Sequence, residues 1–240
     1  MIIKNIIFLL LLSLTILFSN QNEKKIDFSI LEDKTRPLEE KNQDSHRKAI
    51  EVYSFLGIKE GMTVADIDPG SGYNTHLLSR IVKNNGKVIC ILNTHGGGKM
   101  PYDLRKIIKK RIKNANLSNV KVFRKVNEVP NNLIDVVICV RNYHDNKPPR
   151  NEFLSNLINI VKPGGIVGIV EVATNKDGWN EKTHRLNKNV VIDEFESNGF
   201  KLLEESNILR NPEDNYITSG FEIGRYKMDR YLLKFIKPLH

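Results

Sequence analysis

Apolar residues fall along the chain in short dense runs that alternate with stretches of helical spacing. Thr63–Asp68, Lys87–Asn93, Val120–Val126, Ile134–Val140 and Ile166–Val172 read as strands, and Ile134–Val140 is apolar nearly throughout. That is the pattern of strands covered on both faces. Between them, Ile50, Tyr53, Phe55 and Leu56 suit a short helix closed by Gly57. Helices are expected near Thr75–Lys83 and Tyr102–Asn114, the second with Leu104, Ile107, Ile108 and Ile112 on one face. Pro148-Pro149 opens another through Phe153, Leu157 and Ile160, and a further one is expected near His184–Asn198, before Gly199. The last two strands, Lys201–Arg210 and Arg225–Lys237, are separated only by residues 211–224, which lack a helical period. They are therefore expected to pair antiparallel, because a parallel crossover needs a covering element. The prediction is an α/β domain over residues 45–240. It is a doubly wound, mostly parallel seven-stranded sheet with a C-terminal antiparallel hairpin, a Rossmann-like arrangement.

The first 44 residues do not follow this rhythm. Lys4 precedes an apolar run from Ile6 to Phe18, then Ser19 and Asn20. The run is shorter than the roughly 20 residues of a membrane span and suits an export signal. Residues 1–20 are expected to be a signal peptide, or a membrane anchor through 6–18. The product is then exported, and periplasmic if bacterial. Residues 21–44 are polar with both signs of charge and read as a polar arm or tether.

Charged residues make up 27% of the 240 and hydrophobic ones 40%, which excludes a disordered polyelectrolyte, a fibre and a multi-span membrane protein. The two cysteines are too few for a disulfide scaffold. If the first strand separates the second from the fourth, Cys90 and Cys139 lie about 9–10 Å apart, so both are expected as buried free thiols. Between residues 99 and 125 stand ten Lys and Arg against one acid, Asp103; this segment holds the whole net charge of +9. A solvated helix face accounts for the segment; of binding partners, an anionic membrane surface suits it better than nucleic acid, since Tyr102 and Phe123 are the only rings nearby. His46, His76, His95 and His240 lack ligand-like spacing, and no metal is expected.

The chemistry concentrates after the first strand, at Asp66-Ile67-Asp68-Pro69-Gly70-Ser71-Gly72-Tyr73. Open parallel sheets bind ligands outside the carboxyl ends of their strands, and small residues let a backbone approach a ligand closely. A dinucleotide fingerprint needs a third glycine where this chain has Thr75, which disfavours a nicotinamide-dependent oxidoreductase. A tight turn without a ligand is the other reading of these residues alone.

This acid-x-x-P-G-x-G-Y turn, the seven strands and the terminal hairpin resemble a class I S-adenosylmethionine-dependent methyltransferase. Arg141-Asn142-Tyr143-His144-Asp145, Leu209-Arg210-Asn211-Pro212-Glu213-Asp214 and the Leu233–Pro238 ending narrow the resemblance to a branch of predicted bacterial methyltransferases with an N-terminal export signal. The resemblance spans about residues 45–238. It implies methyl transfer from S-adenosyl-L-methionine to a small-molecule or lipid-like acceptor. Gly70, Ser71 and Gly72 would pass under the methionine part of the cofactor, flanked by Asp68, Pro69 and Tyr73, with Asp66 turned to its amino group. Asn93 stands where an acid normally grips the ribose, and Asp68 where the class usually has glycine. These two departures favour the second reading, a non-catalytic ligand-binding protein on the same fold. Arg141 and Asn142 would border the cofactor. His144 is the candidate base, Asp145 the group that orients it, and Asn142 or Tyr143 would line the methyl pocket; Asn142 and Asp145 are alternatively helix caps. Glu171 is an acid among apolar neighbours, His184-Arg185 either faces this cleft or starts a surface helix, and His95–Lys99 is a lid or a plain loop.

Overall fold

In the computed structural model, residues 25–92, 103–146, 148–224 and 227–239 are described. The export-signal segment, Asn93 and the His95–Lys99 loop lie outside them. The strands are β1 (Thr63–Ile67), β2 (Lys87–Ile91), β3 (Val120–Phe123), β4 (Ile134–Val140), β5 (Val161–Val172), β6 (Trp179–Asn180), β7 (Arg185–Leu186), β8 (Lys201–Ser206) and β9 (Arg230–Ile236). The helices are α1 (Leu38–Lys41), α2 (Asp44–Arg47), α3 (Ala49–Phe55), α4 (Tyr73–Val82), α5 (Leu104–Asn114), α6 (Asn151–Ile160), α7 (Lys188–Ser197) and α8 (Gly220–Ile223).

Seven strands form one sheet in the order β3-β2-β1-β4-β5-β9-β8. The first five are parallel, and β9 runs antiparallel between β5 and β8. The most apolar run, β4, sits at the centre with Ile134, Val136, Val137, Ile138 and Cys139 all buried, as a strand covered on both faces requires. One core cluster joins α3 and α4 to Val64, Val88, Val136 and Ile138. A second, on the other face, joins α6 and α7 to Ile67, Val137, Ile169 and Phe235. Asp66 is in register with Cys90 and Ile67 with Cys139, so β1 separates the two cysteines, which are buried and free.

Three expectations are corrected. β5 begins at Val161, five residues before the expected Ile166. The helix expected from His184 starts at Lys188, because Arg185–Leu186 pairs with Trp179–Asn180 in a two-stranded ribbon. The polar arm is not a loose tether. Its Ile26, Ile30 and Leu31 pack on the α3/α4 cluster, and two of its acids bond to α4. Asp33 accepts from Arg80 (2.7 Å) and lies 2.9 Å from His76, and Asp44 accepts from Tyr73 (2.7 Å) and from both ends of the Arg36 fork. Low hydropathy misled the reading: ion pairs and three apolar side chains order the arm.

Candidate functional site

At the β1/β4 boundary the chain leaves in opposite directions, α4 covering one face and α6 the other. Such a switch point opens a crevice. β1 ends in Asp68, whose φ is +49° and whose N–H donates to the Ile91 carbonyl (2.8 Å). The turn closes through Gly72 N–H on the Pro69 carbonyl (2.8 Å), with Gly70 at φ +57° and Gly72 at φ +92°. A Cβ on Gly72 would lie 3.1 Å from Ile108 Cδ1, so glycine there lets α5 pack beneath the turn. Gly70 is different: nothing lies within 4 Å of its Cβ position, so that side of the turn is open. Ser71 is exposed in the turn, donates to Glu40 (3.2 Å) and has its carbonyl bonded by Arg111 (3.3 Å). Arg111 also pairs with Glu40, so the arm and α5 brace the turn from behind.

Asp66 is buried and accepts from Thr75 Oγ1 (2.6 Å). Burial raises its carboxyl, against the Thr75 hydrogen bond, to about 7. Between its ordinary value of 3.8 and about 7 the folded state holds a proton that the unfolded state has released. Stability therefore falls as pH rises through this window, by up to ~4 kcal/mol. Asp66→Asn is expected to flatten that decline in urea titrations between pH 4.5 and 8. An unchanged slope would place the proton elsewhere.

The loop after β4 is fastened to the β1 end by Asn142. Its amide donates to the carbonyls of Ile67 (2.7 Å) and Asp68 (3.2 Å), and its oxygen accepts from Cys139 Sγ (2.6 Å). Asn142 is thus a brace between the two strands rather than a helix cap. Two residues on, His144 Nδ1 meets Glu171 Oε2 at 2.8 Å. Glu171 lies on β5 and is fully buried; its Oε1 accepts the backbone N–H groups of Tyr143 (2.7 Å) and His144 (3.3 Å). A carboxylate only accepts, so this contact assigns a proton to Nδ1, while Nε2 points to the Asp145 side at 3.4 Å. Trp179 on β6 stacks on the imidazole at 4.6 Å and 15°, and His184 meets both rings edge-on at 5.7 and 5.4 Å.

Of the predicted residues, Asp66, Asp68, Pro69, Gly70, Ser71 and Gly72 lie at and just past the end of β1, and Asn142 ties them to the loop that carries His144. Tyr73 and Arg141 line a small neighbouring cleft of about 30 Å³ with Tyr53, Asn74 and Arg230. Two assignments are corrected. Tyr143 does not line a methyl pocket: its ring packs on Phe153 and Phe195 and its hydroxyl donates to Glu194 (2.6 Å), so core burial takes it away. Asp145 is not the principal orienting group. It is partly exposed, 3.4 Å from Nε2, and Glu171 holds the ring instead. Sequence reading singled out Glu171 without its role and missed Trp179 and Glu40. Arg185, next to His184, is buried in a bidentate pair with Asp214 (2.8 and 2.9 Å) and bonds the carbonyls of Ala173 and Thr218.

A family model described as protein-L-isoaspartate(D-aspartate) O-methyltransferase matches residues 32–132, which include the arm, the glycine turn and α5. No curated protein matches the chain. Among solved structures, an S-adenosylmethionine-dependent methyltransferase from Aquifex aeolicus is similar at TM-score 0.62 and 20% identity, over 89% of this chain and 100% of that one. A [4+2]-cyclase, SpnF, is similar at TM-score 0.63 and 16% identity over 82% of each chain. The 1,6-didemethyltoxoflavin-N1-methyltransferase of Burkholderia thailandensis, with S-adenosylhomocysteine bound, is similar at 0.54 and 13% identity, over 82% of this chain and 80% of that one. The solved structures share this chain's Rossmann-like methyltransferase fold, and the family model over residues 32–132 points to S-adenosylmethionine as the cofactor.

Proposed function

We propose that the chain is an exported S-adenosylmethionine-dependent methyltransferase that methylates an ionisable oxygen of a small-molecule or lipid-like acceptor. The observation that carries the reading is the His144–Glu171 pair set beside the open glycine turn. The O-methyltransferase description of the matched family supports oxygen as the atom. The apolar run before residue 20 supports export.

The residues fit the cofactor's charge. Asp66, Asp68, Asp145 and Glu171 all act on the buried Cys139 thiol, which burial chiefly and these four acids further push up. Of these, Asp68 and Asp145 are the less buried, and carboxylates at the strand ends suit a ligand carrying an ammonium and a sulfonium. Pro69–Gly72 would hold its methionine part, with Asp66 towards the amino group. Once bound, the cofactor supplies an activated methyl carbon. His144 then holds the acceptor hydroxyl at Nε2 and takes its proton, Glu171 keeps the imidazole in the required tautomer, and Asp145 stabilises the imidazolium. Trp179 shields one face of the ring from water.

The test is S-adenosylhomocysteine release on a panel of hydroxylated small molecules and lipids. His144→Ala is expected to lower turnover 10²- to 10⁴-fold without weakening cofactor binding. Glu171→Gln is expected to lower it less and to shift the pH profile. Full turnover in His144→Ala would remove the proposed base.

A further inference from the structure

Helix α5 carries six cations in eleven residues, and their placement separates them into two sets. Arg111 turns inward to Glu40 and the Ser71 carbonyl. Arg105, Lys106, Lys109, Lys110 and Lys113 are exposed, and among the described residues no salt bridge engages them. At 100° per residue these five fall within a sector of about 140°, opposite the buried Leu104 and Ile108. Asp103, which caps the helix by accepting from the Lys106 N–H (3.2 Å), is its only nearby acid in sequence. The result is a flat cationic strip without counter-charge.

We infer that this strip docks on an anionic lipid bilayer. Five exposed cations on one face of a single helix are charge-complementary to a plane of anionic headgroups, an attraction that fades within a Debye length of the surface. Nucleic acid is disfavoured because, among the described residues, Phe123 is the ring nearest the strip and it packs against the core, where a base would not stack on it.

The experiment is co-flotation of the full chain with phosphatidylcholine vesicles, with and without 30% phosphatidylglycerol. The phosphatidylglycerol vesicles are expected to bind at least ~100-fold more tightly at low salt, and 0.5 M NaCl to erase most of the difference. Reversal of Lys106, Lys109, Lys110 and Lys113 to Glu is expected to abolish the preference without changing the melting temperature. The same reversals at Lys87, Lys176, Lys182 and Lys201, which are exposed elsewhere, should largely preserve it. Equal binding to both vesicle types, or a preference that survives the α5 reversals, would overturn the inference. So would loss of single-stranded RNA binding in the α5 variant with the lipid preference intact.

Discussion

Gly70→Arg is expected to weaken binding of S-adenosylhomocysteine at least ~100-fold while leaving the protein folded. Two features of the turn separate these outcomes. Gly70 has φ +57°, which costs another residue about 1–2 kcal/mol, a tolerable loss for a domain of this size. No heavy atom lies within 4 Å of its Cβ position, so the new side chain meets space rather than the core. In the proposed function that space receives the cofactor's methionine part, and a guanidinium there also repels a sulfonium. Gly72 offers no such separation, since a Cβ there already presses on Ile108 at 3.1 Å. Calorimetry measures the affinity and thermal melting the fold. Affinity within threefold of wild type would mean that the ligand does not cross this turn.

The second large effect concerns stability. Arg185 and Asp214 are both fully buried, and truncating one strands the other's charge. Burial alone would raise the Asp214 carboxyl, but Arg185 and the N–H groups of Asp229 and Tyr216 outweigh it and hold it below its ordinary value. Arg185→Met is expected to cost about 3–5 kcal/mol and to lower the melting temperature by about 10 °C. Arg185→Met with Asp214→Leu is expected to recover only part of that loss, since no charge is then left unpaired but the N–H groups of Asp229 and Tyr216 lose their acceptor. The site registers the damage as well, because Arg185 anchors the ribbon that carries Trp179 and His184 over His144. Trp179 is the chain's only tryptophan, so its emission is expected to shift red in the single variant. A single variant as stable as wild type would show that the pair is not the anchor.

Most of the fold was legible because its strands are apolar runs and its helices keep a clean period. The parallel order and the free thiols followed from placing β1 between β2 and β4. The site was legible where it is local in sequence: the glycine turn, and His144 at the end of β4. It was not legible where contacts are distant. Glu171 lies 27 residues beyond His144 and meets it only because β4 and β5 are neighbours. Trp179 reaches the imidazole on a ribbon two residues per strand, too short for any period to reveal. Glu40 and Asp44 looked like solvated charge because their partners, Arg111 and Tyr73, lie 71 and 29 residues away. Tyr143 failed for the opposite reason, as its position in the motif did not show that its ring turns into the core.

The central claim is that the crevice at the β1/β4 boundary holds S-adenosylmethionine. Its most direct test is calorimetric titration of the full chain with S-adenosylmethionine and, separately, with S-adenosylhomocysteine. Both are expected to bind, to raise the melting temperature, and to bind His144→Ala as well as wild type. No heat and no thermal shift with either ligand at millimolar concentration would contradict the claim and leave a methyltransferase fold put to another use.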